Sequence, residues 1–401
     1  MINFIVAITA LLFAGYLVFS PRLNGSSNWR ATTTPLASIM GSGFLISAPL
    51  LAGVVGNYAL YSMALLLLIA FAVGSVIRFN IQFFEPIEND KGLAQNIAFI
   101  SRIVLAIAYF ISVSYYLQLL AAFLLSSFDA TSTNAAHWIT SGIIVAICFI
   151  GIWKGLDKLS GIEKYIVSIN LSMIAALLVA LLIFNIDLWY AGNWHLAKLK
   201  ATSEINLNDL RVLLGLLIVV QGFETSRFLG DVFPAKQRIQ TMRNAQIIAT
   251  IIYLSFIGLS TVLFRQGLGA DVTAIIVMIK PVAFILPLLL AVTAIGSQFS
   301  AAVADSEGAA GLLEDVSKRR ISMSFAYGVI LFITLALTWA TNVNAIIAYA
   351  SRAFALFYFL QCCVAVITAS KLNTDNQLRQ WFYAVLAVFC LAVFLFGIPS
   401  G

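Results

Sequence analysis

Glycine and polar residues interrupt two long apolar stretches of the sequence, and their types suit binding of a charged ligand. The first stretch contains Gly41, Ser42 and Gly43, and the second contains Gln221 and Gly222. Glycine weakens a helix interior by about 1 kcal/mol relative to alanine. Each interruption frees backbone groups from the helix, and in a membrane these groups need other partners. Freed N–H groups suit a carboxylate, whereas freed carbonyl groups suit an ammonium group or a cation.

Four ionisable side chains also lie within apolar stretches. Glu224 and Arg227 follow the second interruption, and Asp305 and Arg352 lie further along the chain. A charge at the centre of a membrane-spanning helix costs roughly 2.5–3.5 kcal/mol, so such groups usually face a cavity or a partner. Two predictions stand for Arg352. It is either a buried partner of Asp305, Glu224 or an anionic substrate, or a charge that reaches the membrane surface near its helix end.

The remaining residues offer little for covalent chemistry or metal binding. The two histidines, His137 and His195, lack a paired metal-ligand spacing. The four cysteines lie in apolar stretches and suit neither a disulfide framework nor a metal motif; they are Cys148, Cys362, Cys363 and Cys390. The sequence contains no nucleotide-binding loop and no convincing nucleophile motif. It therefore predicts neither an enzyme nor a bound cofactor.

The composition indicates whether the chain folds in water or in a membrane. Hydrophobic residues make up 61% of the 401 residues and charged residues 10%, with a mean hydropathy of +0.99. Soluble domains carry roughly 25% charged residues, so a soluble globular protein is excluded. The apolar runs are too long for barrel strands and do not alternate with period two. We therefore predict an all-α integral membrane protein.

About 20 apolar residues are needed to span a bilayer. Twelve stretches meet this requirement: 2–20, 31–56, 58–82, 97–127, 138–153, 165–185, 211–233, 244–264, 274–305, 322–341, 343–369 and 379–398. The connections are short and leave no room for a separate soluble domain. The first stretch lacks a basic start and a convincing cleavage site, which predicts a retained helix rather than a signal peptide.

Lysine and arginine residues concentrate in every second connection, beginning after the first span. By the positive-inside rule these connections are cytoplasmic and the N-terminus lies outside. The net charge of +6 is then mainly a topology signal and does not indicate a nucleic-acid partner. Glu85, Glu88 and Asp90 are expected to be solvated loop charges. The short loops favour the plasma membrane of a bacterium.

The two interruptions occupy corresponding positions in the two halves of the chain. They are about 180 residues apart, in the first and sixth spans counted after the N-terminal helix. An offset of five spans, an odd number, inverts one half relative to the other in the membrane. Two glycine-interrupted spans in such positions point to a binding site near the membrane midplane.

Four motifs in order resemble the amino acid–polyamine–organocation (APC) transporter superfamily. They are IMGSGFLISAP (39–49), KGLDKLSGIEKY (154–165), GFETSRFLGDVFPAKQRIQTMRNAQ (222–246) and SQFSAAVADSEGAAGLLED (297–315). The resemblance covers roughly residues 29–369. Three features depart from the family's pattern: the N-terminal helix, the single span after the ten-helix core, and the polar Gln221.

The resemblance implies a LeuT-type five-plus-five inverted-repeat bundle. It also implies secondary active transport of amino acids or related amines by alternating access, as a symporter or an exchanger. The implied divisions of the chain are an extra N-terminal helix (1–28), the first five-helix repeat (29–185), the inverted second repeat (186–370) and a final helix (371–401).

The resemblance also implies where the substrate binds. The N–H groups of the first break would bind a substrate carboxylate, and this break consists of Ser38, Ile39, Gly41, Ser42 and Gly43. The carbonyl groups of the second break would accept hydrogen bonds from a substrate amine, and this break consists of Gln221, Gly222 and Phe223. Glu224 would be a gate beside the site.

The sequence is compatible with transport coupled to sodium, with transport coupled to a proton, and with exchange that needs no coupling ion. The family's coupling lysine in the fifth helix has no counterpart here; the polar candidates are Asn170, Ser297, Ser300 and Asp305. Two alternatives remain. One is a transporter of a carboxylate, a nucleobase or an inorganic ion, and the other is a receptor or complex subunit that transports nothing. The expected partners are a small-molecule substrate and the lipid bilayer, with a homo-oligomer left open.

Overall fold

The described secondary structure is entirely helical, as the sequence predicts. The protein is described from a computed structural model. This structure describes residues 2–41, 43–128, 130, 132–154, 157–196, 205–265, 272–372 and 377–399. Ser42, predicted to line the first break, lies outside the described residues.

The α-helices are numbered in chain order. They are α1 (Ile2–Phe19), α2 (Pro21–Asn24), α3 (Ser27–Gly41), α4 (Phe44–Val55), α5 (Ala59–Phe79), α6 (Leu93–Ser126), α7 (Thr133–Lys154), α8 (Asp157–Tyr190), α9 (Leu207–Gly215), α10 (Ala235–Ser260), α11 (Ala274–Ile279), α12 (Leu286–Val316), α13 (Met323–Ala340), α14 (Val343–Lys371) and α15 (Gln377–Phe396). Short 3-10 helices cover Gly56–Tyr58, Glu85–Ile87, Leu217–Val220, Phe223–Leu229 and Thr261–Leu263, and a π-helical turn covers Asn80–Phe84.

Ten helical stretches in the described ranges are long and apolar enough to cross a membrane, compared with twelve predicted spans. The difference arises at two places. The predicted spans 31–56 and 58–82 fall in one continuous stretch, Ser27–Ile87. The predicted span 211–233 is divided into short helical pieces, none of which has the required length.

The predicted bounds of the ninth span, 274–305, are wrong. The long helix α12 begins at Leu286 and continues to Val316, whereas the short α11 lies before it. Pro287 explains the start, because proline fits the first turn of a helix but not its interior.

Both predicted interruptions are present. The helix α3 ends at Gly41, and α4 begins at Phe44. In the second stretch α9 ends at Gly215, and a 3-10 helix ends at Val220. Gly222 follows with a φ angle of 116°. This backbone conformation suits glycine, because a Cβ atom is strongly disfavoured there.

The packing of the helices brings the two broken stretches together. The helix α3 packs against α10 and against the 3-10 helix Phe223–Leu229 of the second break. The helix α6 packs against both α12 and α14. At the periphery α1 packs on α8, and α15 packs on α14. The helix α1 leaves Phe4, Leu11 and Phe19 exposed, as expected of side chains that face lipid.

Candidate functional site

The two breaks touch each other through glycine. A Cβ atom on Gly222 would lie 2.7 Å from the carbonyl carbon of Ser38 and 2.8 Å from the nitrogen of Ile39. A Cβ atom on Gly43 would lie 2.9 Å from Cα of Val219. Real Cβ atoms do not approach other atoms so closely, so only glycine permits this contact.

Tyr253 of α10 connects the two breaks with one hydroxyl group. Its oxygen lies 3.0 Å from the carbonyl oxygen of Ile39 and also within hydrogen-bonding distance of the carbonyl oxygen of Val219. The side chain is fully buried, with the ring of Phe44 packed edge-on against it. Carbonyl groups freed by both breaks therefore share one donor.

A polar cluster lies against the first break. The Nε2 atom of Gln298 donates to the carbonyl oxygen of Gly41 at 2.9 Å, and the amide of Asn170 donates to the Ser297 hydroxyl at 3.2 Å. The Oε1 atom of Gln298 is buried and has no hydrogen-bond partner among the described residues. Asn170 and Ser297, predicted as coupling candidates, therefore meet next to Gly41.

Glu224 lies buried inside the second break. Its Oε2 atom accepts from the backbone N–H of Gly222 at 3.0 Å and from the hydroxyl of Tyr358 at 2.8 Å. The ring of Tyr358 also stacks on Phe223, with the ring centroids 5.4 Å apart. These bonds hold the carboxylate against its own backbone turn. They supply hydrogen-bond donors to a carboxylate that is buried between α14 and the second break.

A cavity of about 560 Å³ lies beside the breaks, between α3, α6, α8, α12 and the 3-10 helix Phe223–Leu229. Five predicted site residues line it: Ser38, Asn170, Ser297, Ser300 and Asp305. Other predicted residues are not among those that line the cavity: Ile39, Gly41, Gly43, Gln221, Gly222 and Phe223. The cavity volume is in the range typical of small-molecule sites.

The cavity lining is acidic. It includes Asp231, Asp305, Glu307 and Asp315, whereas no lysine, arginine or histidine is among its described lining residues. Asp305 is buried, and the hydroxyl of Ser112 on α6 donates to its carboxylate. Among the described contacts Asp305 has no cationic partner. A cleft lined by one sign of charge concentrates ions of the opposite sign, here cations.

Arg352 lies outside this cavity. Its Nε atom donates to the carbonyl oxygen of Phe394 on α15 at 2.7 Å, and its guanidinium lies 5.8 Å from the centre of the Phe394 ring. Its described contacts do not include Asp305 or Glu224, so the predicted pairing with these carboxylates is wrong. The arginine instead joins α14 to the last helix.

The carboxylates of the connection after α5 are not simply solvated, which corrects the prediction for Glu85 and Glu88. Glu88 pairs with Arg102 and with Arg227, the latter at 3.2 Å. Glu85 pairs with Arg238 at 2.6 Å. Arg227, whose charge is costly within an apolar stretch, thus obtains an acidic partner from another part of the chain.

Gln361 of α14 completes this network. Its Oε1 atom accepts from Arg227 and, at 2.9 Å, from the amide of Asn80, and its amide donates to the Ser101 hydroxyl at 2.8 Å. All four side chains are buried. Hydrogen bonds therefore connect the second break to α6, to α14 and to the turn after α5.

Sequence reasoning did not identify four residues that build the site. They are Ser112, Tyr253, Gln298 and Tyr358. Their common signal is a polar atom within an apolar helix. Many other serine and tyrosine residues share that signal, so it does not single out these positions.

The helices and the cavity together define an integral, multi-pass membrane protein with a central polar site. The chain belongs to a family of APC superfamily transporters, whose model matches residues 21–397. The match begins directly after α1 and confirms the resemblance that the four motifs predict. A protein of Aquifex aeolicus (strain VF5), described as an uncharacterized protein, is 38% identical over 396 residues. The alignment covers 96% of this chain and 95% of the relative.

Proposed function

We propose that the protein is a secondary active transporter of amino acids or closely related amines. The observation that carries the proposal is the acid-lined cavity beside two touching broken helices. Asp305, which lines the cavity and has no cationic side chain among its described contacts, favours a substrate with an ammonium group. Membership of a transporter family supports movement of that substrate across the membrane. Transport of this kind involves no covalent step and needs no cofactor.

The first break would bind the substrate carboxylate through backbone N–H groups near Gly41 and Gly43. The substrate amine would be attracted by the freed carbonyl groups around Gln221 and by Asp305. Helix ends of opposite polarity at one point suit a molecule that carries both charges. Glu224 would act as a gate, because its bonds to Gly222 and Tyr358 have to change if the second break moves.

The proposed mechanism is alternating access in a five-plus-five inverted-repeat bundle. The repeats would cover 29–185 and 186–370, with additional helices at 1–28 and 371–401. The placement of one broken helix in each half supports this arrangement. Rocking of the bundle with the broken helices against the remaining helices would expose the site to each side in turn.

Coupling to sodium, to a proton or to substrate exchange is compatible with the polar groups present. Asn170, Ser297 and Ser300 supply neutral oxygen or amide groups, and Asp305 supplies a carboxylate beside the cavity. Hard oxygen ligands suit sodium, whereas a carboxylate within the membrane can carry a proton. We place the protein in a bacterial plasma membrane.

A thermal-shift screen tests the substrate class. Purified protein would be heated with each amino acid and with common polyamines, with and without sodium and at two pH values. A ligand present at a hundred times its Kd stabilises the folded state by about 2.7 kcal/mol. We expect stabilisation by an amine-bearing compound, followed by its uptake into proteoliposomes.

Two results would contradict the proposal. Stabilisation by anions or nucleobases but by no amine would favour another substrate class. Binding of an amine without uptake or exchange in proteoliposomes would favour a receptor that transports nothing.

A further inference from the structure

A groove of about 800 Å³ lies on the outer surface of the bundle, between α5 and α15. We call it the α5–α15 groove, and it shares no lining residue with the central cavity. Its walls combine aromatic and aliphatic side chains with two arginines, Arg78 and Arg379. No aspartate or glutamate is among its described lining residues. The groove therefore joins an apolar surface to an excess of positive charge.

Neither arginine is neutralised by a carboxylate among the described contacts. Arg78 donates to the side-chain oxygen of Gln246, a neutral partner. Arg379 lies 6.0 Å from the centre of the Phe79 ring. Arg78, Arg379 and Tyr383 all line the groove, and the Tyr383 ring lies 5.2 Å from the Phe79 ring beside which Arg379 is placed.

The order of side chains along the groove matches an amphiphile. Arg78 lies in the last turn of α5, and Arg379 lies at the start of α15. The positive-inside rule assigns both helix ends to the cytoplasmic membrane surface. Beyond them on α15, Trp381 is 71% exposed and Val385 is 63% exposed. Positive charge at the surface is thus followed by an aromatic ring and then by an aliphatic face.

We infer that the α5–α15 groove binds an anionic phospholipid of the bilayer. The lipid phosphate would lie between Arg78 and Arg379, and an acyl chain would lie along Trp381 and Val385. Basic pockets between helices at the cytoplasmic side are suited to anionic headgroups, because guanidinium groups bind phosphate through several N–H donors. The inference does not depend on which substrate the central cavity takes.

Lipid titration of the full chain in detergent tests the inference, with bound lipid counted by native mass spectrometry. The probes are dioleoylphosphatidylglycerol and dioleoylphosphatidylcholine, which have the same acyl chains. We expect tighter binding of the anionic lipid. We also expect Arg379→Gln to weaken its binding by about fivefold, the effect of one basic residue near an anionic membrane surface. Arg379→Lys should retain most of the binding.

Arg320→Gln is the matched control, because it removes one exposed arginine from the predicted cytoplasmic side outside the groove. It should leave lipid binding unchanged. Equal losses in Arg320→Gln and Arg379→Gln would overturn the inference, since they would indicate attraction by overall charge. Equal binding of the two lipids would also overturn it. Displacement of the lipid by millimolar glycerol phosphate would indicate a site for a soluble anion and would likewise reject the bilayer lipid.

Discussion

At the scale of single residues, Asp305 combines burial, charge and access to the cavity. Its described hydrogen-bond partner is the neutral hydroxyl of Ser112, and no cationic side chain is among its described contacts. A hydrogen bond to a charged group contributes roughly 1.5–3 kcal/mol. We expect Asp305→Asn to weaken binding of the amine that stabilises the protein most by roughly 10- to 100-fold. Thermal-shift titration and the KM of uptake would measure the change.

Asp315→Asn provides the control for that substitution. Asp315 also lines the cavity, but its side chain is 62% exposed and pairs with Arg102 at 2.8 Å. Exposed ion pairs contribute about 0–1 kcal/mol, so the affinity for the amine should change less than in Asp305→Asn. Equal loss of amine affinity in both variants would indicate that the amine responds to the overall negative charge of the cavity and does not bind Asp305 directly. Normal affinity in Asp305→Asn together with a lost pH dependence of uptake would indicate a coupling proton instead.

At the scale of the elements, the contact between the two breaks depends on Gly222. Its φ angle of 116° is strained for any other residue, and an added Cβ would meet the backbone of Ser38 and Ile39. Backbone strain of this kind costs about 1–3 kcal/mol before the steric clash is included. We expect Gly222→Ala to lower the unfolding temperature and to abolish substrate stabilisation, as measured by thermal unfolding in detergent.

Gly258→Ala is a matched substitution in the helix α10. A Cβ there would meet only the Cδ1 atom of Leu60, at 3.8 Å, which is an ordinary contact. Alanine also favours a helix more than glycine does, by about 1 kcal/mol. Gly258→Ala should therefore melt at or above the temperature of the unmodified protein. If Gly222→Ala behaved in the same way, the breaks would not be in the contact described.

The charge network explains how the second break tolerates Arg227. An unpaired charge within the bundle would be costly, but Glu88 and Gln361 both accept hydrogen bonds from this guanidinium. Arg238 adds a bond to the backbone carbonyl of Arg227 at 2.9 Å. Three separate elements, namely the connection after α5, α10 and α14, thus converge on one short 3-10 segment. Any movement of this segment during transport has to exchange these bonds for others.

At the scale of the whole molecule, the sequence predicts that the protein lies in a membrane, that it is entirely helical and that two of its helices are broken. These features follow from local composition, because long apolar runs and glycine in mid-span have direct physical meaning. The pairing of Arg227 with Glu88 and the contact of Arg352 with Phe394 were not predictable in this way. Each joins residues far apart in sequence, and helix periodicity does not indicate which distant helix supplies a partner.

The cavity opens toward the predicted cytoplasmic side. Its lining follows α12 from Ser297 to Asp315, and the exposed Asp315 lies just before the basic connection that begins with Lys318. At the other end, the cavity stops near the first break, where Phe44 packs with its ring centroid 4.5 Å from that of Phe256. We therefore expect a site that is accessible from the cytoplasmic side of the membrane.

Cysteine labelling would test this direction of access. Gly311 lines the cavity, and a Cβ there meets no atom within 4 Å, so Gly311→Cys fits without displacement. We expect a charged, membrane-impermeant thiol reagent to label Gly311→Cys in inside-out vesicles and much more slowly in intact cells. The four native cysteines would first be replaced by alanine. Gly142 also has free space around it, but it is exposed within the membrane-spanning α7 and is not among the residues that line the cavity. Gly142→Cys should therefore resist labelling from both sides. Faster labelling of Gly311→Cys in intact cells would reverse the assigned orientation, because the same cavity would then open to the outside.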